Sequence, residues 1–150
     1  MMEIRPARAG DLDAVRRCAV AAYEIYVDRI GRKPAPMVAD FDAASTSGEL
    51  YVLQVGDAIH GFIVLFPRAG HIFVENVAVD PAQQGRGYGR RLLDFAEAEA
   101  RRLGLPALEL YTNAKMTENL ALYPRVGYLE TGRRTEDGFD RVYFRKVLTD

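Results

Sequence analysis

The sequence predicts a mixed α/β fold: a central, mostly antiparallel sheet with one parallel crossover and flanking helices. Three observations predict it. Apolar residues recur at three- and four-residue steps in two long stretches, one before residue 30 and one after Gly89, which marks two amphipathic helices. Between them lie three strand-like runs joined by tight turns. A strand, a glycine-rich bend, a helix and another strand then follow one another, the order of a parallel crossover.

In chain order, residues 3–8 form a short extended start, and Pro6 suits an edge strand because it has no N–H for a ladder. Leu12, Val15, Ala19, Ala22 and Tyr26 predict a helix over residues 11–30. Asp11 and Asp13 favour its positive end, and Gly31, Pro34 and Pro36 stop it. A second short helix is predicted over residues 37–41, with Ser45-Thr46-Ser47-Gly48 as a loop. Residues 50–55 and 58–66 flank Gly56-Asp57, a pair that closes a tight hairpin. Residues 67–70 turn the chain into a third strand over 71–79, apolar on both faces near its end, as at the centre of a sheet.

The long helix presents Leu92, Leu93, Ala96, Ala100 and Leu103 on one face and Arg90, Asp94, Glu97 and Arg101 on the other. Gly104 and Pro106 end it. A strand over 107–112 and a short helix over 117–126 follow. A terminal hairpin, 128–134 and 141–147, turns at Glu136-Asp137-Gly138. No linker or composition shift divides residues 1–150, so one domain is predicted.

The 49% hydrophobic and 27% charged fractions are those of a soluble globular chain. A net charge of −1, with both signs mixed along the chain, argues against a nucleic-acid or membrane-surface binder. Cys18 is the only cysteine, which rules out an internal disulfide and a cysteine metal cluster; no metal is expected. Set among alanines, it reads as a small buried hydrophobe. Residues 1–6 carry no apolar signal region and no run approaches membrane-spanning length, so a cytoplasmic protein is expected.

Gly85, Gly87 and Gly89 alternate where a helix begins. Without Cβ obstruction their N–H groups converge, and the helix end adds partial positive charge, a site for a phosphate-like anion. A nucleotide-hydrolase loop is excluded, because Arg90-Arg91 rather than Lys and Ser or Thr follow the last glycine. A dinucleotide fingerprint has different glycine spacing and needs an acid where the next strand ends Tyr111-Thr112. A turn whose glycines serve only packing is the remaining alternative.

Val77-Ala78-Val79-Asp80-Pro81 followed by Gln84-x-x-Gly87-x-Gly89 resembles the acyl-coenzyme-A-binding motif of the GNAT acetyltransferase superfamily. Leu122-Tyr123, followed by Gly127-Tyr128, resembles that family's second segment, and the element order agrees over nearly the whole chain. The resemblance implies an acetyl-CoA-dependent N-acetyltransferase, with a small-molecule or peptide amine attacking directly in a ternary complex. A non-catalytic acyl-CoA-binding module on the same fold is the alternative, and retention of Glu75 and Tyr123 speaks against it. The resemblance sets the pyrophosphate on N–H groups of Gln84, Gly85, Arg86, Gly87, Tyr88, Gly89 and Arg90, and the pantetheine arm along Val77 and Val79. An N–H near Val77 or Ala78 would polarise the thioester carbonyl. In one departure, the family's usual Asn, seven residues before the Tyr, is replaced by Met116. Asn119, three residues further on, shares a helix face with that position and is the expected substitute.

The resemblance places the Tyr123 phenol near the sulfur, where it can protonate the leaving thiolate. Glu75 is the candidate base, directly or through water, since a carboxylate inside an apolar run is costly unless exposed, paired or functional. Desolvation there should raise its pKa. An electrostatic or structural carboxylate is the alternative. Tyr23, Tyr26, His71, Tyr111 and Asn113 are expected to line the acceptor pocket, while Arg133, Arg134 and Arg141 read as surface ion-pair residues, with binding of a carboxylate-bearing acceptor as the alternative. Exposed strand edges near the C-terminal hairpin suit pairing into a homodimer.

Overall fold

A computed structural model describes residues 1–149; Asp150, the last residue of the predicted domain, lies outside them. In chain order the elements are β1 (Met2–Pro6), α1 (Leu12–Tyr23), α2 (Val27–Ile30), α3 (Phe41–Thr46), β2 (Leu50–Val55), β3 (Ala58–Arg68) and β4 (His71–Val79). There follow α4 (Tyr88–Arg102), β5 (Ala107–Asn113), α5 (Thr117–Arg125), β6 (Leu129–Glu136) and β7 (Phe139–Val147). The strands form one seven-stranded sheet in the order β1-β2-β3-β4-β5-β7-β6. Every pairing is antiparallel except β4 with β5. The mixed α/β prediction therefore holds, with Pro6 on the edge strand and β4 at the centre.

Two apolar layers hold the helices to the sheet. On one face Leu92, Leu93, Ala96 and Ala100 of α4 pack on Ile63, Leu65, Ile72, Val74, Leu108 and Leu110. On the other, Leu12, Val15 and Ala19 of α1 pack with Phe41 of α3 on Leu50, Val52, Phe62, Val64 and Ala78. Gly61 lets the sheet carry both layers closely. A Cβ there would come 2.8 Å from the Ala78 carbonyl oxygen and 3.2 Å from Leu92 Cδ1.

Several boundaries differ from expectation. The helix expected over 11–30 ends at Tyr23, tightens into a 3-10 turn at Glu24–Tyr26 and resumes as α2. Residue i+3 stays on the same face in both helix types, so the apolar pattern runs through the break unmarked. The short helix expected over 37–41 is instead a 3-10 turn, Ala35–Val38, followed by α3, so Ser45 and Thr46 are helical rather than looped. Asp40 starts α3: its Oδ1 accepts from the Ala43 N–H at 3.0 Å. β3 runs on to Arg68, which shortens the expected turn at 67–70. Leu103 lies beyond the end of α4 and is 44% exposed, so it is not part of the apolar face.

Candidate active site

The site begins where two strands part. β4 and β5 pair only through Ile72, Val74 and the residue between them, against Leu108 to Leu110. Beyond Val74 the two strands splay, leaving Glu75–Val79 and Tyr111–Asn113 on either side of a gap. A β-bulge coincides with the parting. On β3, Leu65 pairs with Val74 and its neighbour Val64 with Asn76, so Glu75 is the extra residue. The bulge also inverts the strand. Ile72 and Val74 face the α4 layer, but after Glu75 it is Val77 and Val79 that do, while Ala78 joins the α1 layer.

The same register fixes the backbone. The Asp80 N–H donates to the His60 carbonyl at 2.8 Å, so Ala78 and Asn76 form the hydrogen-bonded pairs with β3. Val77 and Val79 turn their N–H and C=O groups away from β3, into the gap. Of the two N–H groups expected near a carbonyl, the one that faces the gap is that of Val77, because the Ala78 N–H belongs to the β3 ladder.

Two cavities meet in the splay. The larger, about 660 Å³, runs from Tyr23, Tyr26 and Tyr123 along Val77, Ala78 and Val79 to Gln84, Gly85, Gly87, Tyr88, Gly89 and Arg90. At its far end Gly85 and Gly87 hold φ of +85° and +81°, with open space where a Cβ would stand. The first helical bond of α4 is Arg91 N–H to Gly87 C=O, which leaves the preceding N–H groups without helical partners. A preorganised row of donors at a helix start, leading to open strand backbone, fits a long phosphate-bearing chain with amides in its arm. The smaller cavity, about 50 Å³, is bordered by Glu75, Asn76, Tyr111, Asn113, Phe139 and Arg141, and by Pro34 to Pro36. Tyr23, Val77, Asn119 and Tyr123 border both cavities.

Chemistry at the junction is set by burial. The Tyr23 hydroxyl donates toward Asn76 Oδ1 at 2.8 Å and the Val77 carbonyl at 2.9 Å. Asn76 Nδ2 in turn donates to the Pro36 carbonyl at 3.0 Å. Burial pushes the phenols of Tyr23 and Tyr123 well above their usual range, so both stay protonated. Desolvation likewise raises the Glu75 carboxyl; Glu49 adds to the shift and Arg68 opposes it. Asn119 donates to Thr112 Oγ1 at 3.1 Å, close to the buried Met116.

Among the expected acceptor residues, Tyr23, Tyr111 and Asn113 border the smaller cavity and Tyr26 the larger. His71 borders neither. It opens β4 four residues before Glu75, and its Nε2 stands 3.6 Å from Glu109. The side chain of Arg86 is exposed and is not part of either wall. Arg133 pairs with Glu130 as a surface ion pair, but Arg141 departs from that reading: it is largely buried, stacks 4.4 Å over Tyr111 and borders the smaller cavity. Asn76, Phe139 and the Pro34–Pro36 wall carried no sequence signal. Asn76 looked like one more residue of an apolar strand, and only the bulge turns it toward α1. Cys18 is buried, its thiol pushed up to about 12 by desolvation, consistent with an inert core residue.

Residues 15–128 match the model of the Acetyltransferase (GNAT) family. The chain is 46% identical over 129 residues to N-alpha-acetyltransferase RimI of Mycobacterium tuberculosis, covering 79% of this chain and 75% of that one. Its fold matches the ribosomal-protein-S18-alanine N-acetyltransferase of Escherichia coli with a TM-score of 0.78 at 24% identity, over 100% and 96% of the two chains. It matches a GNAT family acetyltransferase from Elizabethkingia anophelis with acetyl-CoA bound at a TM-score of 0.73 and 25% identity, over 98% of each. The chain spans about half the length of other curated relatives, 53% and 47% of two of them. The chain belongs to the GNAT acetyltransferase family.

Proposed function

We propose that the chain is an N-acetyltransferase that moves an acetyl group from acetyl-CoA to a primary amine by direct attack in a ternary complex. The splay between β4 and β5 carries this reading. It joins a long cavity with open backbone groups to a small one bordered by a partly desolvated carboxylate, Glu75, and Tyr123 borders both.

The N–H groups of the glycine bend and the start of α4 hold the pyrophosphate, with the Arg90 guanidinium nearby. The gap-facing N–H and C=O groups of Val79 pair with the amides of the pantetheine arm, as if a strand were added, while the Val77 C=O already accepts from the Tyr23 hydroxyl. The Val77 N–H polarises the thioester carbonyl and stabilises negative charge on its oxygen. Glu75, directly or through one water, takes a proton from the incoming ammonium so that the nitrogen lone pair is free to attack the carbonyl carbon. As the new C–N bond forms and the C–S bond breaks, the Tyr123 hydroxyl gives its proton to the departing thiolate. The second proton lost by nitrogen returns to the Tyr123 oxygen through solvent, which leaves an amide and free coenzyme A. Asn119 stands between the two cavities, placed to contact the coenzyme arm from the face where the family's usual asparagine is replaced by Met116.

The acceptor is a primary amine of a small molecule or a peptide. Release of free thiol from acetyl-CoA in the presence of an amine panel tests the reading. Coenzyme A binding without amine-dependent thiol release would sink it in favour of a non-catalytic binding module.

A further inference from the structure

Two arginines are almost equally buried and very differently satisfied. The side chains of Arg5 and Arg141 are 9% and 13% exposed. The Arg5 guanidinium donates to Gln54, to the Pro6 carbonyl and, as a bidentate pair at 2.8 and 3.0 Å, to Asp11. Arg141 has a single polar side-chain contact among the described residues, Nη1 to Glu136 Oε1 at 3.5 Å. That oxygen already accepts from the Tyr143 hydroxyl. A guanidinium carries donors along its whole edge and does not shed its charge, so burial with one long contact is costly unless a ligand supplies the rest.

The surroundings of Arg141 say what kind of ligand. On β7 it stands directly opposite Arg134 of β6, a like-charge pair that an anion would relieve. Its guanidinium lies 4.4 Å over the Tyr111 ring, which covers one flat face and leaves the edge to the smaller cavity that Arg141 borders. Among the described residues Arg141 is the one cation on that cavity, and Glu136 already balances part of its charge. A carboxylate, which a planar fork meets edge to edge, suits that balance better than a phosphate, which brings more charge. Glu75 borders the same cavity, and Tyr111 stands between the two groups: burial raises its phenol, Arg141 lowers it and Glu75 raises it again. Glu75 itself is influenced by Glu49 and Arg68 rather than by Arg141, so the two charges are not paired with each other. The cavity therefore has a negative end and a positive end.

We propose that Arg141 binds a carboxylate of the acceptor, so that the preferred acceptors are amines with a carboxylate a few bonds from the nitrogen, the ammonium lying at Glu75 and the carboxylate at Arg141. This inference rests on the transferase reading above and goes past it to the class of acceptor. Two sources offer that chemistry: the α-carboxylate of a free amino acid, and the side chain of an acidic first residue in a peptide.

The test uses two matched pairs of acceptors from acetyl-CoA, read by thiol release: alanine with alaninamide, and the tripeptide amides Glu-Ala-Ala and Gln-Ala-Ala. Members of a pair differ in amine basicity, so the quantity read is the acidic-to-neutral ratio of kcat/KM in the wild type divided by the same ratio in Arg141→Gln. A quotient of roughly 10 to 100 is expected in at least one pair, the scale of one hydrogen bond to a charged group, carried by KM for the acidic acceptor with KM for acetyl-CoA unchanged. The pair that shows it identifies the source of the carboxylate. Arg141→Lys, which keeps the charge and loses the fork, should fall between the two, and it takes the place of Arg141→Gln if that variant does not fold. A quotient near one in both pairs overturns this inference alone, as does thiol release with other primary amines but with none of these four. No thiol release with any amine overturns the transferase reading and this inference with it.

Discussion

Gly87 and Gly31 make a matched pair that separates backbone strain from coenzyme binding. Gly87 precedes α4 at φ 81°, ψ 11°, and Gly31 follows α2 at φ 89°, ψ 2°. A Cβ on either meets nothing within 4 Å. Alanine therefore costs each site only the left-handed backbone penalty, roughly 1–2 kcal/mol. For a chain of this size that is a Tm loss of about 2–4 °C per kcal/mol, similar in the two variants. Their surroundings differ, because Gly87 borders the 660 Å³ cavity and Gly31 borders neither. A methyl group at Gly87 would stand between the bend and a bound pyrophosphate. Loss of one charge-assisted hydrogen bond is about 1.5–3 kcal/mol, on the order of 10- to 100-fold in coenzyme A affinity. Urea unfolding of both variants and calorimetric titration with coenzyme A measure the two quantities separately. Equal affinity of Gly87→Ala and Gly31→Ala for coenzyme A would refute the cradle, whatever their stabilities.

Three further expectations follow from the geometry. Glu75 must be ionised to accept a proton, and its pKa is raised by burial, so kcat/KM should fall as pH drops through a midpoint above the ordinary 4.5. Glu75→Gln should remove that limb and slow turnover roughly 100-fold; a limb that survives the substitution would make Glu75 an electrostatic or structural carboxylate. Tyr123→Phe should lower kcat about 100-fold and leave coenzyme A affinity intact, and full activity in that variant would remove Tyr123 from proton transfer. Gly61→Ala forces a Cβ to 2.8 Å from the Ala78 carbonyl oxygen, so it should destabilise by about 1–3 kcal/mol; an unchanged urea midpoint would contradict the close packing of β3 and β4 under α4.

Most of the fold was legible because local signals and global topology agree. The hairpin at Gly56-Asp57, the glycine bend and the stop at Gly104 each sit where the chain reverses or changes pitch. The donor half of the site was legible for the same reason: an anion cradle at a helix start is a local structure written in contiguous residues. The acceptor half was legible only in part, through Tyr23, Tyr111 and Asn113. Pro34 to Pro36, Asn76, and Phe139 with Arg141 come from three separate stretches, and each looks ordinary in its own stretch. Arg141 reads as a strand-edge cation until β7 inserts between β5 and β6 and lays it over Tyr111. His71 shows the converse error, since a histidine on the strand that carries Glu75 falls at the end of β4 remote from the gap.

Glu75 is where sequence periodicity and structure part most usefully. Alternation along β4 would put Glu75 on the same face as Phe73 and Val77, with Asn76 beside Val74 under α4. One extra residue at the bulge breaks that parity and has three consequences together. It ends the pairing with β5, so the Val77 N–H and the backbone of Val79 are left open to a ligand. It sends Asn76 toward α1, where its amide joins Tyr23 to the proline wall. And it leaves Glu75 at the parting of the strands, partly desolvated and without a ladder partner on β3. Donor strand, acceptor wall and candidate base thus depend on a single insertion in register. Deletion of Glu75 should therefore abolish coenzyme A binding as well as turnover, whereas Glu75→Gln should spare binding, because only the deletion restores the alternation that closes the gap.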